Sequence, residues 1–85
     1  MKQGIGNRIA ILRKSLGDGK PLNQIQFAEK LGLSNGFISA IELGKAPLTE
    51  ANIRLVCLTY NVNEEWLRYG TGKMLNEATR LLEME

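Results

Sequence analysis

Histidine is absent from the 85 residues, and cysteine occurs once, as Cys57. The first absence removes the commonest general base and the commonest metal ligand. The second leaves no internal disulfide and no zinc cluster, and a reduced, cytoplasmic setting is expected. No phosphate loop and no nucleophile–base pair stands out, so an enzyme is not expected, and neither a cofactor nor a small-molecule ligand is evident. Long apolar runs are missing as well. The opening stretch MKQGIGNRIAILRK offers neither a signal peptide nor a membrane span. No segment alternates apolar and polar residues with period two over a useful length, which argues against a sheet.

What is present is apolar material at helical spacing. Hydrophobic residues make up 44% of the chain, enough for one small core. Charge is unevenly spread. Residues 1–45 carry seven basic side chains (Lys2, Arg8, Arg13, Lys14, Lys20, Lys30, Lys45) against three acids (Asp18, Glu29, Glu42), whereas residues 46–85 carry more acids than bases. The first half is the better candidate for a polyanion partner.

Glycine and helix-capping residues divide the chain into short helices. Ile5, Ile9, Leu12 and Leu16 define a first helix over about 5–16, ended by the turn-rich GDGKP. Asn23 caps a second over 24–31, which Gly32 ends in the place where a left-handed residue is least costly. Ser34 caps a third over 35–43, stopped by Gly44. Thr49 caps a fourth over 50–60. Asn63 caps a fifth, with Glu64 and Glu65 in its first turn and Gly70 at its end. Trp66 reads as the core anchor of this helix. After a GTGKM connector, Leu75 to Glu85 reads as a sixth, short amphipathic helix. The expected fold is all-α, with residues 1–74 as one domain and 75–85 as an added C-terminal helix.

The stretch QFAEKLGLSNGFISAIELGK breaks one helix at Gly32 and starts the next at once. Two helices joined this tightly cross at a steep angle. Ala28 is small where they approach, Leu33 plugs the elbow, and Phe27, Leu31, Ile38 and Ile41 point to a common core. Asn35, Gly36, Phe37, Ser39 and Ala40 remain on the outer face of the third helix, a shape the major groove of B-DNA can admit.

These residues resemble a known family. Gln24 to Leu43 looks like the helix-turn-helix of lambdoid phage repressors and of the wider Xre group of regulators. IELGK and LTEANIRLVCLTYNVNEEWLRYGTGKM continue the likeness, so that about residues 5–74 are covered. The resemblance implies a lambda-repressor-like five-helix DNA-binding domain with a short extra C-terminal helix. It implies a sequence-specific regulator of double-stranded DNA, a phage-type repressor acting as a homodimer.

The resemblance also implies roles for particular residues. Asn23 and Gln24 match the family's phosphate contacts at the start of the second helix, where free N–H groups meet a positive dipole end. Gln24 has no evident packing reason to be there. Ser34 caps the third helix and is also a candidate backbone contact. Base reading falls to Asn35, Gly36, Phe37, Ser39 and Ala40. Asn35 can bond an adenine edge, and Ala40 can meet a thymine methyl. Gly36 lets the helix sit closer. Phe37 either lies over the DNA or folds back on the second helix. Lys45 matches a phosphate contact made by side chain or amide, or is a solvated lysine. Arg13 and Glu42 match a pair that locks the recognition helix. The role of the loop 17–21, longer than is usual in the family, stays open.

In the fourth helix, Ile53, Val56, Cys57 and Tyr60 form one apolar stripe, assigned to the core. Ala51, Leu55, Leu58 and Val62 form a second. With Leu75, Ala78, Leu81 and Leu82 of the sixth helix, Leu55 and Leu58 make a candidate dimer interface, docked either within the chain or across a twofold axis. The alternative function is an antitoxin or other protein-interaction module on the same fold, with these apolar helices binding a different protein. Phage repressors often add a C-terminal oligomerisation domain, and this sequence is expected to lack one.

Overall fold

The computed structural model describes residues 4–17 and 20–76. It contains α1 (Ile5–Ser15), α2 (Gln24–Leu31), α3 (Asn35–Glu42), α4 (Glu50–Tyr60) and α5 (Glu64–Tyr69). The fold is all-α, as expected. Among the described residues, the β-type pairing is an isolated antiparallel bridge between Val62 and Leu75. No helix of the described chain is long and apolar enough to cross a membrane.

Local chemistry sets the helix boundaries. Four helices begin at a side-chain cap: Asn23 for α2, Ser34 for α3, Thr49 for α4 and Asn63 for α5. Each side-chain oxygen accepts from an N–H of the first turn that has no intrahelical partner. At α2 the cap is reciprocal: the Asn23 side chain accepts from Gln26 N, and Gln26 Oε1 accepts from Asn23 N, a capping box. Gly32 ends α2 at φ 73°, in the left-handed region. The Leu33 amide then donates back to Ala28 O at 3.0 Å, closing the helix end while the chain turns.

The core is a single cluster. Ile9 and Leu12 of α1, Phe27, Ala28 and Leu31 of α2, and Ile38 and Ile41 of α3 meet Ile53 and Val56 of α4, Val62 and Leu67. The helix spacing is 3.6 residues per turn, so each helix presents one such stripe inward. α3 packs against both α1 and α2, α1 against α5, and α4 against α2 and α5. The Tyr60 ring stacks on Phe27 with centroids 4.8 Å apart, and its hydroxyl donates to Phe27 O at 2.9 Å. That double contact ties α4 to the back of α2.

Three expectations need correction. Leu75 does not begin a helix: it sits in the bridge to Val62, and the Asn76 amide donates to Asn61 O at 3.0 Å. The rest of the expected sixth helix, with Ala78, Leu81 and Leu82, lies outside the described residues. Leu67, not Trp66, is the fully buried anchor of α5, while Trp66 packs half-buried at the edge. The second stripe of α4 also divides. Val62 is 1% exposed and belongs to the core, and Leu55 packs half-buried against it.

The segment 73–76 runs alongside 61–63. The Asn63 amide donates to Met74 O at 2.8 Å, Asn63 Nδ2 to Lys73 O at 2.9 Å and Asn76 Nδ2 to Val62 O at 3.1 Å. The NVN and GTGKM blocks are thus two sides of one small pairing, which holds the loop before α5 in place.

Candidate nucleic-acid interface

α2, the turn at Gly32 and α3 place two helix starts side by side. Arg13, Asn23, Gln24, Ile25 and Asn35 line one open cleft between them. Neither α2 nor α3 carries an acidic residue in its first turn, whereas α4 has Glu50 and α5 has Glu64 and Glu65. The positive dipole ends of the two motif helices are therefore not neutralised by their own side chains.

A hydrogen-bonded network ties this cleft to the far end of α3. Arg13 Nε donates to Glu42 Oε2 at 2.7 Å, and Arg13 Nη2 to Glu42 Oε1 at 3.1 Å, a two-point grip on the carboxylate. Arg13 Nη1 also donates to Leu22 O at 2.8 Å, which fixes the chain just ahead of α2. Gln24 Nε2 donates to Glu42 Oε1 at 3.0 Å. One carboxylate thus joins α1, the start of α2 and the end of α3. Burial alone would raise the Glu42 carboxyl. The hydrogen bonds from Arg13 and Gln24, with the charges of Arg13 and Lys14, outweigh it and hold the pKa below the usual 4.5.

Gln24 therefore has a structural occupation that sequence reasoning missed. No spacing signal marks a glutamine bonded to a carboxylate 18 residues away. Asn23 and Ser34 serve as caps, and Asn35 and Gly36 stand exposed at the start of α3. Ser39 and Ala40 are half-exposed. Phe37 is half-buried and packs against the core cluster, so its ring is not standing free on the outer face. Lys45 is exposed, but its amide is committed to Ala40 O at 2.8 Å. A contact through that amide is closed, which leaves the side chain.

Two positioning contacts carry no signature in the sequence. Gly6 of α1 faces the carbonyl of Ile41, and a Cβ there would fall well inside van der Waals distance of that oxygen. Arg8 is 8% exposed and donates through Nε to Leu67 O and through Nη2 to Arg68 O, each at 2.7 Å. It satisfies carbonyls at the end of α5 that the helix itself leaves open. Cys57 is no activated nucleophile: burial first, and the Glu64 charge second, push its thiol pKa up.

The tightly joined and packed α2–α3 pair, the open helix starts and the Arg13–Glu42 lock coincide with a family match. The helix-turn-helix family model covers residues 20–67. The chain belongs to the Xre/lambda-repressor-like helix-turn-helix family. This helix-turn-helix protein is a DNA-binding regulator, of a family that is typically non-enzymatic. No curated protein and no solved structure gives a significant match. The matched segment begins at Lys20 and ends at Leu67. It contains the motif, α4 and most of α5, while α1, which supplies Arg13 and Gly6, lies outside it.

Proposed function

We propose that this helix-turn-helix regulator is a sequence-specific repressor of the phage type, binding operator DNA as a homodimer with α3 in the major groove. The observation that carries the reading is the placement of α3. Its inner residues Ile38 and Ile41 are buried, and its end is clamped by Arg13, while Asn35 and Gly36 at its start remain open to a partner. A rigid helix with a free polar start suits base reading in the groove.

In this reading Asn23, Gln24, Ser34 and the Lys45 side chain hold phosphates on either side of the groove. Asn35 reads an adenine edge, and Ala40 and Ser39 line the groove floor. Gly36 permits close approach, and Phe37 supports the helix from behind. Direct hydrogen-bonding readers are few, so operator shape and bendability contribute to selectivity.

Selecting bound duplexes from a random pool tests this. A twofold-symmetric site with half-sites about 34 Å apart is expected. Enrichment of an asymmetric single site contradicts the dimer, and absence of any enrichment contradicts sequence-specific binding. Asn35→Ala is expected to relax preference at one base pair per half-site at a cost of about 1–3 kcal/mol. An unchanged selection profile removes Asn35 from the reading set.

A further inference from the structure

Two large aliphatic side chains of the motif stand exposed outside the core, Ile25 and Leu43, and Ile25 is the one that lines the cleft between the helix starts. It is the second residue of α2 and is 56% exposed. It belongs neither to the core nor to the half-buried ring packed around it. The helix gains nothing from an isoleucine there. First-turn positions favour acidic side chains, and β-branched residues lose rotamer freedom in a helix. A single exposed aliphatic is ordinary on a protein surface. The setting of this one is not, because it shares the cleft between the two helix starts with Asn23, Gln24, Asn35 and Arg13. Those four neighbours are all polar or charged.

Resting on the DNA-binding reading above, we infer that Ile25 is a specificity-determining residue that packs against the 5-methyl group of a thymine in each half-site. Ile25 and Asn35 line the same cleft from two different helices. Together they present an amide beside an aliphatic surface. An A·T pair shows the matching edge in the major groove: adenine offers N7 and N6 for a bidentate amide, and thymine adds a methyl group that no other base carries. An apolar side chain on the groove side loses its exposure only against an apolar group, and the thymine methyl is the one that depends on sequence. Ile25 supplies the kind of direct reading that the hydrogen-bonding inventory of α3 lacks.

The experiment uses the duplex selected by the chain and replaces each half-site thymine in turn by deoxyuridine, which deletes the methyl group and leaves every hydrogen bond. Binding is measured by competition for the wild type and for Ile25→Ala, whose folding is checked by its melting curve. The wild type is expected to lose about three- to tenfold in affinity at one thymine per half-site, as burial of a single methyl group allows. Ile25→Ala is expected to lose a similar factor on the thymine duplex and nothing further on the deoxyuridine one. Equal sensitivity of both proteins to methyl deletion overturns the inference. So does a uniform loss by Ile25→Ala on selected and scrambled duplexes alike, which places the side chain against the sugar. If the selection enriches no duplex, the DNA reading fails first and the inference with it. If it enriches a site whose half-sites lack thymine, the inference alone fails.

Discussion

At the scale of single residues, Glu42 is the side chain that joins three helices around the candidate interface. It accepts from Arg13 of α1 and Gln24 of α2 while sitting at the end of α3, and the Arg13 and Glu42 side chains retain only 12% and 9% exposure. Removing Arg13 leaves a carboxylate largely shielded from water without its main partner, which costs about 2–4 kcal/mol. In a domain of this size that lowers the melting temperature by roughly 10–20 °C. Arg13→Ala is therefore expected to lose stability and DNA affinity together. Unchanged melting with a loss of affinity alone identifies Arg13 as a phosphate contact instead. Gln24→Ala removes one donor to a carboxylate that keeps its Arg13 partner, so its stability cost is about 1–2 kcal/mol, less than that of Arg13→Ala. If Gln24 also holds phosphate, it weakens selected and scrambled duplexes alike, and loss confined to the selected duplex counts against that role. The carboxyl adds a pH dependence of definite sign. Its folded pKa lies below the ordinary 4.5, so the unfolded chain binds the proton more tightly. The stability contributed by the network is complete above about 4.5 and is lost as pH falls through the lower folded value. Glu42→Gln is expected to flatten the acid limb of a melting-temperature profile, and an unaltered profile assigns that limb to other carboxylates.

Among the elements, α1 packs directly on α3, the helix proposed to enter the groove. Gly6 is the second residue of α1, at a negative φ that alanine adopts as readily, so the helix itself does not call for glycine there. The carbonyl of Ile41 occupies the space a Cβ needs, and backbone cannot swing aside as a side chain can. Gly6→Ala is thus expected to destabilise, by about 1–3 kcal/mol as other overpacked sites do, and to reduce DNA affinity by tilting α3. A more stable protein with unchanged binding contradicts that account. Short-range features of this architecture are legible in the sequence and long-range ones are not. Caps at Asn23, Ser34, Thr49 and Asn63, the left-handed Gly32, and the inward stripes of α1 to α3 follow from neighbours within a few positions, and all were legible. The grip of Arg8 on carbonyls at the end of α5 spans 59 residues. The pairing of 61–63 with 73–76 and the Gly6 approach are similarly non-local. Nothing in period or propensity encodes such contacts, so the GTGKM block read as a plain connector and Leu75 as a helix start. At the interface the candidate positions came from the family resemblance. The Gln24–Glu42 bond and the backing of Phe37 emerged only from the packed structure.

For the whole molecule, the proposed dimer needs a surface of its own, and the exposed apolar side chains narrow the choice. Of the second stripe on α4, Val62 is core, Leu55 is half-spent on the core, and Leu58 stands 83% exposed. Leu75 is 40% exposed beside the Val62 bridge. The fold leaves Leu58 free, so the expected twofold contact centres on Leu58 with Leu75 at its margin, and Leu55 supports it from beneath. A dimer suits the weak reader described above, because two linked half-sites raise the effective concentration of the second binding event without any new contact. Light scattering on the protein alone tests the arrangement. The wild type is expected at twice the chain mass at high micromolar concentration. Leu58→Glu is expected to give a folded monomer whose melting temperature falls only by what association contributed and no longer depends on protein concentration, since the side chain belongs neither to the core nor to the ring packed around it. Leu55→Glu tests less cleanly, because it disturbs packing as well. To ask whether the C-terminal residues take part, the chain is best cut after Asn76, since a cut after Met74 also removes the Leu75 bridge and the Asn76 hydrogen bonds that hold the 61–63 loop. Monomer on that cut places part of the interface within residues 77–85, where Ala78 and Leu82 are the expected contributors, and dimer confines it to residues 1–76. A wild-type monomer in the same measurement ends the dimer proposal, and a dimer that survives Leu58→Glu moves its interface to another face.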